Sequence, residues 1–123
     1  MAYTNVKDVL SRVQQVTEYL GIQLVDPNQH GIFGDTPLHV AAGWGEVDAV
    51  RLLLDAGAMV DSRGERNDTP LYSAVSSGNL DVVRLLVDRG ASTKVTNDDG
   101  DSPLDSARWL KKEEIAEFLR TLT

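Results

Sequence analysis

The 123-residue chain contains no cysteine. That excludes a disulfide framework, thiolate catalysis and a cysteine-ligated metal. It suits a reducing compartment, and the cytoplasm is the expected location. Aromatic residues are also scarce, at 6% with two tryptophans, so each tryptophan's position carries information. Positive charge is the scarcer sign, with 12 Lys and Arg against 19 Asp and Glu and a net charge of −7. Nucleic acids and anionic membranes both need basic surfaces, so neither is expected as a partner. The apolar runs fall well short of the roughly 20 residues a membrane helix requires. Met1-Ala2-Tyr3-Thr4-Asn5 lacks the basic-then-apolar order of a secretory leader. By length the chain is one domain, able to bury roughly two-thirds of its unfolded surface without staples.

What the chain does have is a period. Thr36-Pro37-Leu38 recurs as Thr69-Pro70-Leu71 and as Ser102-Pro103-Leu104, 33 residues apart each time. Thr36 to Ala42 aligns with Thr69 to Val75, and Glu46 to Ala58 aligns with Asn79 to Ala91. A fixed period of this length marks a stack of supersecondary units, each of which buries its apolar face only against its neighbours. On these residues, over about 31–123, the chain resembles the ankyrin repeat family, with its Thr-Pro-Leu-His-x-Ala-Ala and Leu-Leu-Leu…Gly-Ala signatures. The resemblance implies an all-α solenoid with short hairpin-like turns between repeats, and binding rather than catalysis.

Local chemistry supplies the elements. Asn5 to Leu20 predicts one amphipathic helix with Val6, Leu10, Val13 and Leu20 on a face, Val9 and Val16 beside it, Asn5 as cap and Gly21 as terminator. It lies in the slot of a first repeat but lacks the signature, so 1–35 is expected to be an N-terminal cap with a loop from Gly21 to Asp35. Residues 36–68 and 69–101 are the two full repeats. In each, a Thr caps a short helix with Pro at its first position. The short helix of the first repeat is expected to end at Gly43 and Gly45, and Gly78 matches Gly45 in the second. A second helix then ends at Gly57 or Gly90. Asn67, which tolerates positive φ, replaces a turn glycine. In 102–123, Glu113, Arg120 and Lys111 stand where the full repeats have Val47 and Leu80, Leu54 and Val87, and Gly45 and Gly78. Charge at such positions is what a C-terminal cap needs. A small complete stack is therefore expected: cap, two repeats, cap.

No catalytic constellation is visible, and neither enzyme activity nor a cofactor is expected. His39 belongs to the signature and is read as a brace between adjacent turns. Tyr72 and Asp105 hold its equivalent places, so the bracing is not uniform. His30 has no Cys or His partner at ligand spacing. Asn97-Asp98-Asp99-Gly100-Asp101 superficially suggests a calcium loop, but it lacks the register of Gly at the sixth and Glu at the twelfth position, so no metal is expected. No serine sits in Gly-x-Ser-x-Gly.

The resemblance also implies where a partner would bind, on the turn tips and the exposed ends of the short helices. Mapped residue by residue, the turn positions are Ile32, Phe33 and Asp35; Glu65, Arg66 and Asp68; and Asp98, Asp99 and Asp101. The helix positions are Gly43 and Trp44; Ser76 and Ser77; and Trp109 and Leu110. Phe33, Trp44 and Trp109 are expected to be exposed aromatics of the kind enriched at interface hot spots. For Trp109, packing against the C-terminal helix is the alternative. The repeated Asp at 35, 68 and 101, with Asp98, Asp99 and Glu65, is either a solubilising edge or a rim complementary to a Lys/Arg-rich partner. The expected function is non-catalytic binding of another, basic protein by a chain that is monomeric when free. It would act as a stand-alone inhibitor or immunity-type protein, with a scaffold for several clients as the alternative.

Overall fold

The computed structural model describes residues 3–16 and 19–122. Among these are seven α-helices and no strand: α1 (Val6–Val13), α2 (Pro37–Trp44), α3 (Val47–Asp55), α4 (Pro70–Ser77), α5 (Leu80–Asp88), α6 (Pro103–Trp109) and α7 (Glu113–Arg120). The short helices α2, α4 and α6 pack side by side in one layer. The longer helices α3 and α5 form a second layer with α7, and α1 packs across α2 and α3.

The layers come from side-chain size repeated at the period. Ala41, Ala74 and Ala107 are fully buried where the short helices pass one another. A methyl is all that fits where two backbones approach closely. Leu53, Leu86 and Leu119 form the matching row in the second layer, each sealed from solvent. The N-termini of α2, α4 and α6 each have Pro at the start of the helix, where no N–H is required. Helices α3 and α5 end in paired bonds. Ala58 N–H reaches the Leu53 carbonyl at 2.9 Å and Gly57 N–H the Leu54 carbonyl at 3.1 Å, and Ala91 and Gly90 repeat this on Leu86 and Val87. Such bonds need positive φ at the glycine, here 97° at Gly57 and 95° at Gly90.

Two expectations change. The N-terminal helix ends at Val13, not Leu20; residues 17 and 18 of the expected helix lie outside the described residues. The Gln14 side chain takes over from the helix. Its amide donates to the Ile22 carbonyl (2.5 Å) and the Tyr19 carbonyl (3.2 Å), and its oxygen accepts from Leu24 N–H (2.5 Å). These bonds satisfy backbone groups of Tyr19, Ile22 and Leu24 beyond the helix end. The buried face of α1 is accordingly Val9 and Val13, with Tyr19 buried further on, whereas Leu20 is 61% exposed. The second change is at Gly43, which lies inside α2; Gly45 alone ends that helix, with φ 73°. Asn5 does cap α1, its side chain accepting from Asp8 N–H at 3.2 Å.

Candidate functional site

The short helices and the turns before them enclose a concave face, and the turns set its geometry. Each turn is closed by its own backbone. Gly31, Gly64 and Asn97 donate to the carbonyls of Asp35, Asp68 and Asp101 at 2.7, 2.8 and 3.0 Å. Each of these carbonyls also accepts from a side chain in the preceding unit. Tyr19 O–H reaches Asp35 (2.9 Å), His39 Nε2–H reaches Asp68 (2.8 Å) and Tyr72 O–H reaches Asp101 (2.6 Å). His39 is thus a brace, as expected. Its Nδ1 accepts from Thr36 N–H at 3.1 Å and lies 2.9 Å from the Thr36 hydroxyl. Burial holds this imidazole below its ordinary range, against the pull of the Asp68 carbonyl and the nearby Asp35 and Asp68 carboxylates. Tyr72 performs the same task, and desolvation helped by the Asp68 charge pushes its phenol up to about 12. Sequence reasoning missed Tyr19, because it lies off the period. Asp105, in the third such place, instead closes a capping box with Ser102 (2.9 and 3.2 Å).

The aspartates divide by role. The Asp35 carboxylate accepts from Glu65 N–H at 2.9 Å, tying the first turn to the second. Asp68 accepts from the Asn97 amide at 2.9 Å, tying the second to the third. Desolvation raises the Asp68 pKa, only partly opposed by Asn97 and Arg66. Asp99 pairs with Arg66, and Asp98 N–H donates to the Arg66 carbonyl at 2.9 Å. Much of the acidic row therefore holds turn to turn. In the third turn, Asn97 Oδ1 is occupied by the N–H groups of Asp99 and Asp101, both at 3.0 Å. That is a turn motif, as the sequence reading held.

The aromatics divide as well. Trp109 is 76% exposed and does not pack beneath the C-terminal helix, and Leu110 beside it is also exposed. Phe33 (53%) and Ile32 stand out from the first turn. Trp44 differs from expectation: it is half-buried against the core, and the Arg12 guanidinium lies 3.9 Å from its ring centre. Arg12 in turn pairs with Glu46, which also accepts from Tyr3 O–H at 2.8 Å. The cluster latches α1 onto the start of α3 and uses Trp44 as its floor. Tyr3 stands one period before Thr36, but nothing in the period points to its joining Arg12 and Glu46.

Two adjoining depressions run along the concave face. One, of about 450 Å³, lies between Asp35, His39, Trp44 and Ser77. The other, of about 400 Å³, lies between Arg66, Asp68, Asp101, Ser106 and Trp109. Tyr72, Asp68 and Ser76 line both, so the two form one groove. Ser76 and Ser77 sit exposed at the end of α4, with the Ser77 hydroxyl bonded back to the Ala74 carbonyl at 2.8 Å. Glu65 lies exposed in the second turn, outside both depressions. Among the described residues no cluster of three or more His, Asp or Glu is placed to hold a metal ion, and no helix is long and apolar enough to cross a membrane.

A stack of helix pairs joined by Asp-closed turns, with a shallow groove over the short helices, defines a repeat protein of the protein-binding class. The chain matches the family described as Ankyrin repeats (3 copies) over residues 9–97 and 66–122, and it belongs to that family. The family's domains are typically non-catalytic modules for protein–protein interaction. A search of the curated proteins finds no match.

Proposed function

We propose that this protein binds a basic protein partner through the concave groove and neutralises it as an inhibitor of immunity type. The observation that carries the reading is the groove itself. It is continuous from Trp44 to Trp109 and acidic along its turn side at Asp35, Asp68 and Asp101, on a chain of net charge −7. Ile32 and Phe33 project at the turn nearest one end and Trp109 and Leu110 at the other. Exposed aromatics at the ends of an acidic groove suit a partner that presents basic side chains between apolar anchors. In this reading the protein works in the cytoplasm, is monomeric when free and carries out no catalysis. Its working units are a cap over 1–35, repeats over 36–68 and 69–101, and a cap over 102–123.

The test is a photoreactive residue placed at Ser76 in the groove and, separately, at Asp81 on α5, irradiated in the source cells. Capture of one stoichiometric, basic, salt-sensitive protein from position 76 but not 81 supports the inhibitor. Several substoichiometric proteins from position 76 support a scaffold for many clients. Capture from position 81 alone overturns the groove as the binding face.

A further inference from the structure

The two tryptophans of the groove stand in contrasting states. Trp44 has a cation over its face, Arg12 at 3.9 Å, and that guanidinium is held by the carboxylate of Glu46. The chain itself supplies all three parts of an aromatic–guanidinium–carboxylate sandwich. At the other end, Trp109 is 76% exposed, and among the described residues no cation lies over its ring. It shares a depression of about 400 Å³ with two carboxylates. The Asp101 backbone is engaged by Tyr72 and Asn97, yet no hydrogen bond or ion pair among the described residues engages its carboxylate. Asp68 gives one oxygen to the Asn97 amide and leaves the other unengaged. Arg66 lines the same depression, but its guanidinium is committed to Asp99 across the turns. The phenol of Tyr72 feels the charges of Asp68, Asp101 and Asp105, partly opposed by Arg63.

We infer that the depression beside Trp109 receives an arginine side chain from the protein partner, its guanidinium stacked on the indole and forked by Asp101 and Asp68. The inference rests on the groove being the binding face. Arginine fits better than lysine, because a planar guanidinium both stacks on an indole and meets a carboxylate with two donors, whereas an ammonium offers a strongly hydrated point charge. At the opposite end Arg12 already fills the same role over Trp44, so a partner finds one such seat vacant and one taken.

The probes are hexaarginine and hexalysine, titrated into the full chain at one ionic strength while the two indole N–H resonances are followed. The expected result is a saturable shift of the Trp109 signal with the Trp44 signal unmoved, and binding of hexaarginine about tenfold tighter than hexalysine. Asp101→Asn should weaken hexaarginine about tenfold, whereas Asp48→Asn, on the exposed side of α3, should leave it unchanged. Equal affinity for the two peptides, or equal losses in the two variants, would mean diffuse charge attraction and overturn the arginine seat. Trp109→Phe, which keeps a ring in place, should retain part of the binding, and unchanged affinity in Trp109→Ala would likewise sink it. The photo-crosslinks from position 76 separate the two levels. Crosslinks there with no Arg preference leave the groove standing and remove the seat, and crosslinks from position 81 alone remove both.

Discussion

The two junctions between turns are built on one plan with different parts. At the first, His39 braces the turn ahead of it, and glycine at 64 lets the backbone come close. A Cβ added there would lie 2.1 Å from Asp35 Oδ1 and 2.8 Å from His39 Nε2. Asp35 consequently bonds the next backbone N–H, that of Glu65, directly. At the second junction Tyr72 replaces His39 and Asn97 replaces Gly64, and the Asn97 amide stands between the turns to meet Asp68. At these two junctions the pairs change together: Asp35 and the His39 ring leave no room for a Cβ at 64, and Tyr72 is accompanied by Asn97. One cost is visible. The Thr36 hydroxyl has the His39 ring beside it, whereas the buried Thr69 hydroxyl finds no partner among the described residues. The difference shows that the repeat conserves a bond to the aspartate carbonyl rather than any one donor.

The largest effects should come from what the two repeats share. Leu53→Ala and Leu86→Ala each remove a sealed side chain from the same row, and each should cost about 3 kcal/mol in urea unfolding. Markedly unequal losses would break the equivalence of the two cores. Next comes the place where the junctions differ most. Gly64→Ala should cost about 2 kcal/mol from overpacking against Asp35 and His39. Asn97→Gly should cost less, about 1 kcal/mol for the lost hydrogen bonds; the reverse order of the two would refute the pairing of glycine with histidine.

Acid should separate the junctions further. Burial depresses the His39 pKa in the fold, so the unfolded chain binds a proton that the folded chain refuses. Stability at the first junction is therefore full above the ordinary imidazole value of about 6.5 and falls as pH drops through it. Asp35 and the Asp68 carboxylate and carbonyl pull the other way without reversing the direction, and His30 pushes the same way as burial. Thermal unfolding between pH 7.5 and 5 should show the loss in the native chain and a flatter curve in His39→Gln; parallel curves would disprove it. Tyr72, pushed up to about 12, has no counterpart in that window.

The smallest effects concern backbone strain. Asn67 and Lys111 hold φ of 63° and 59° at places where equivalent units have glycine. Asn67→Gly should be close to neutral and Lys111→Gly should stabilise by about 1 kcal/mol, since lysine tolerates this region less well than asparagine. A loss of stability in Lys111→Gly would show that its side chain contributes more than its backbone costs.

Much of this was readable in the sequence because repetition turns single residues into columns. The Thr-Pro starts, Gly57 and Gly90 and the leucine row follow from the period and from simple steric rules, and the His39 brace is what the family resemblance implies. Features without a column escaped. The early end of α1 depends on one side chain, Gln14, meeting backbone eight and ten residues away. Tyr19 braces the first turn from a place the period does not mark. Trp44 occupies a position that faces a partner in the resemblance, but Arg12 covers it from α1. The acidic row was legible as a row, while its division into joints and free carboxylates depends on distances that no spacing encodes.

The three braces share a direction. In each, the donor precedes its acceptor along the chain, Tyr19 by 16 residues and His39 and Tyr72 by 29 each. During synthesis the N-terminal part leaves the ribosome first, so each turn emerges to find its donor already in place. The braced carbonyls need no later segment, whereas the carboxylates of Asp35 and Asp68 meet donors made later, Glu65 and Asn97. The ladder of braces thus has a polarity in the sequence, each unit offering its donor to a turn made later.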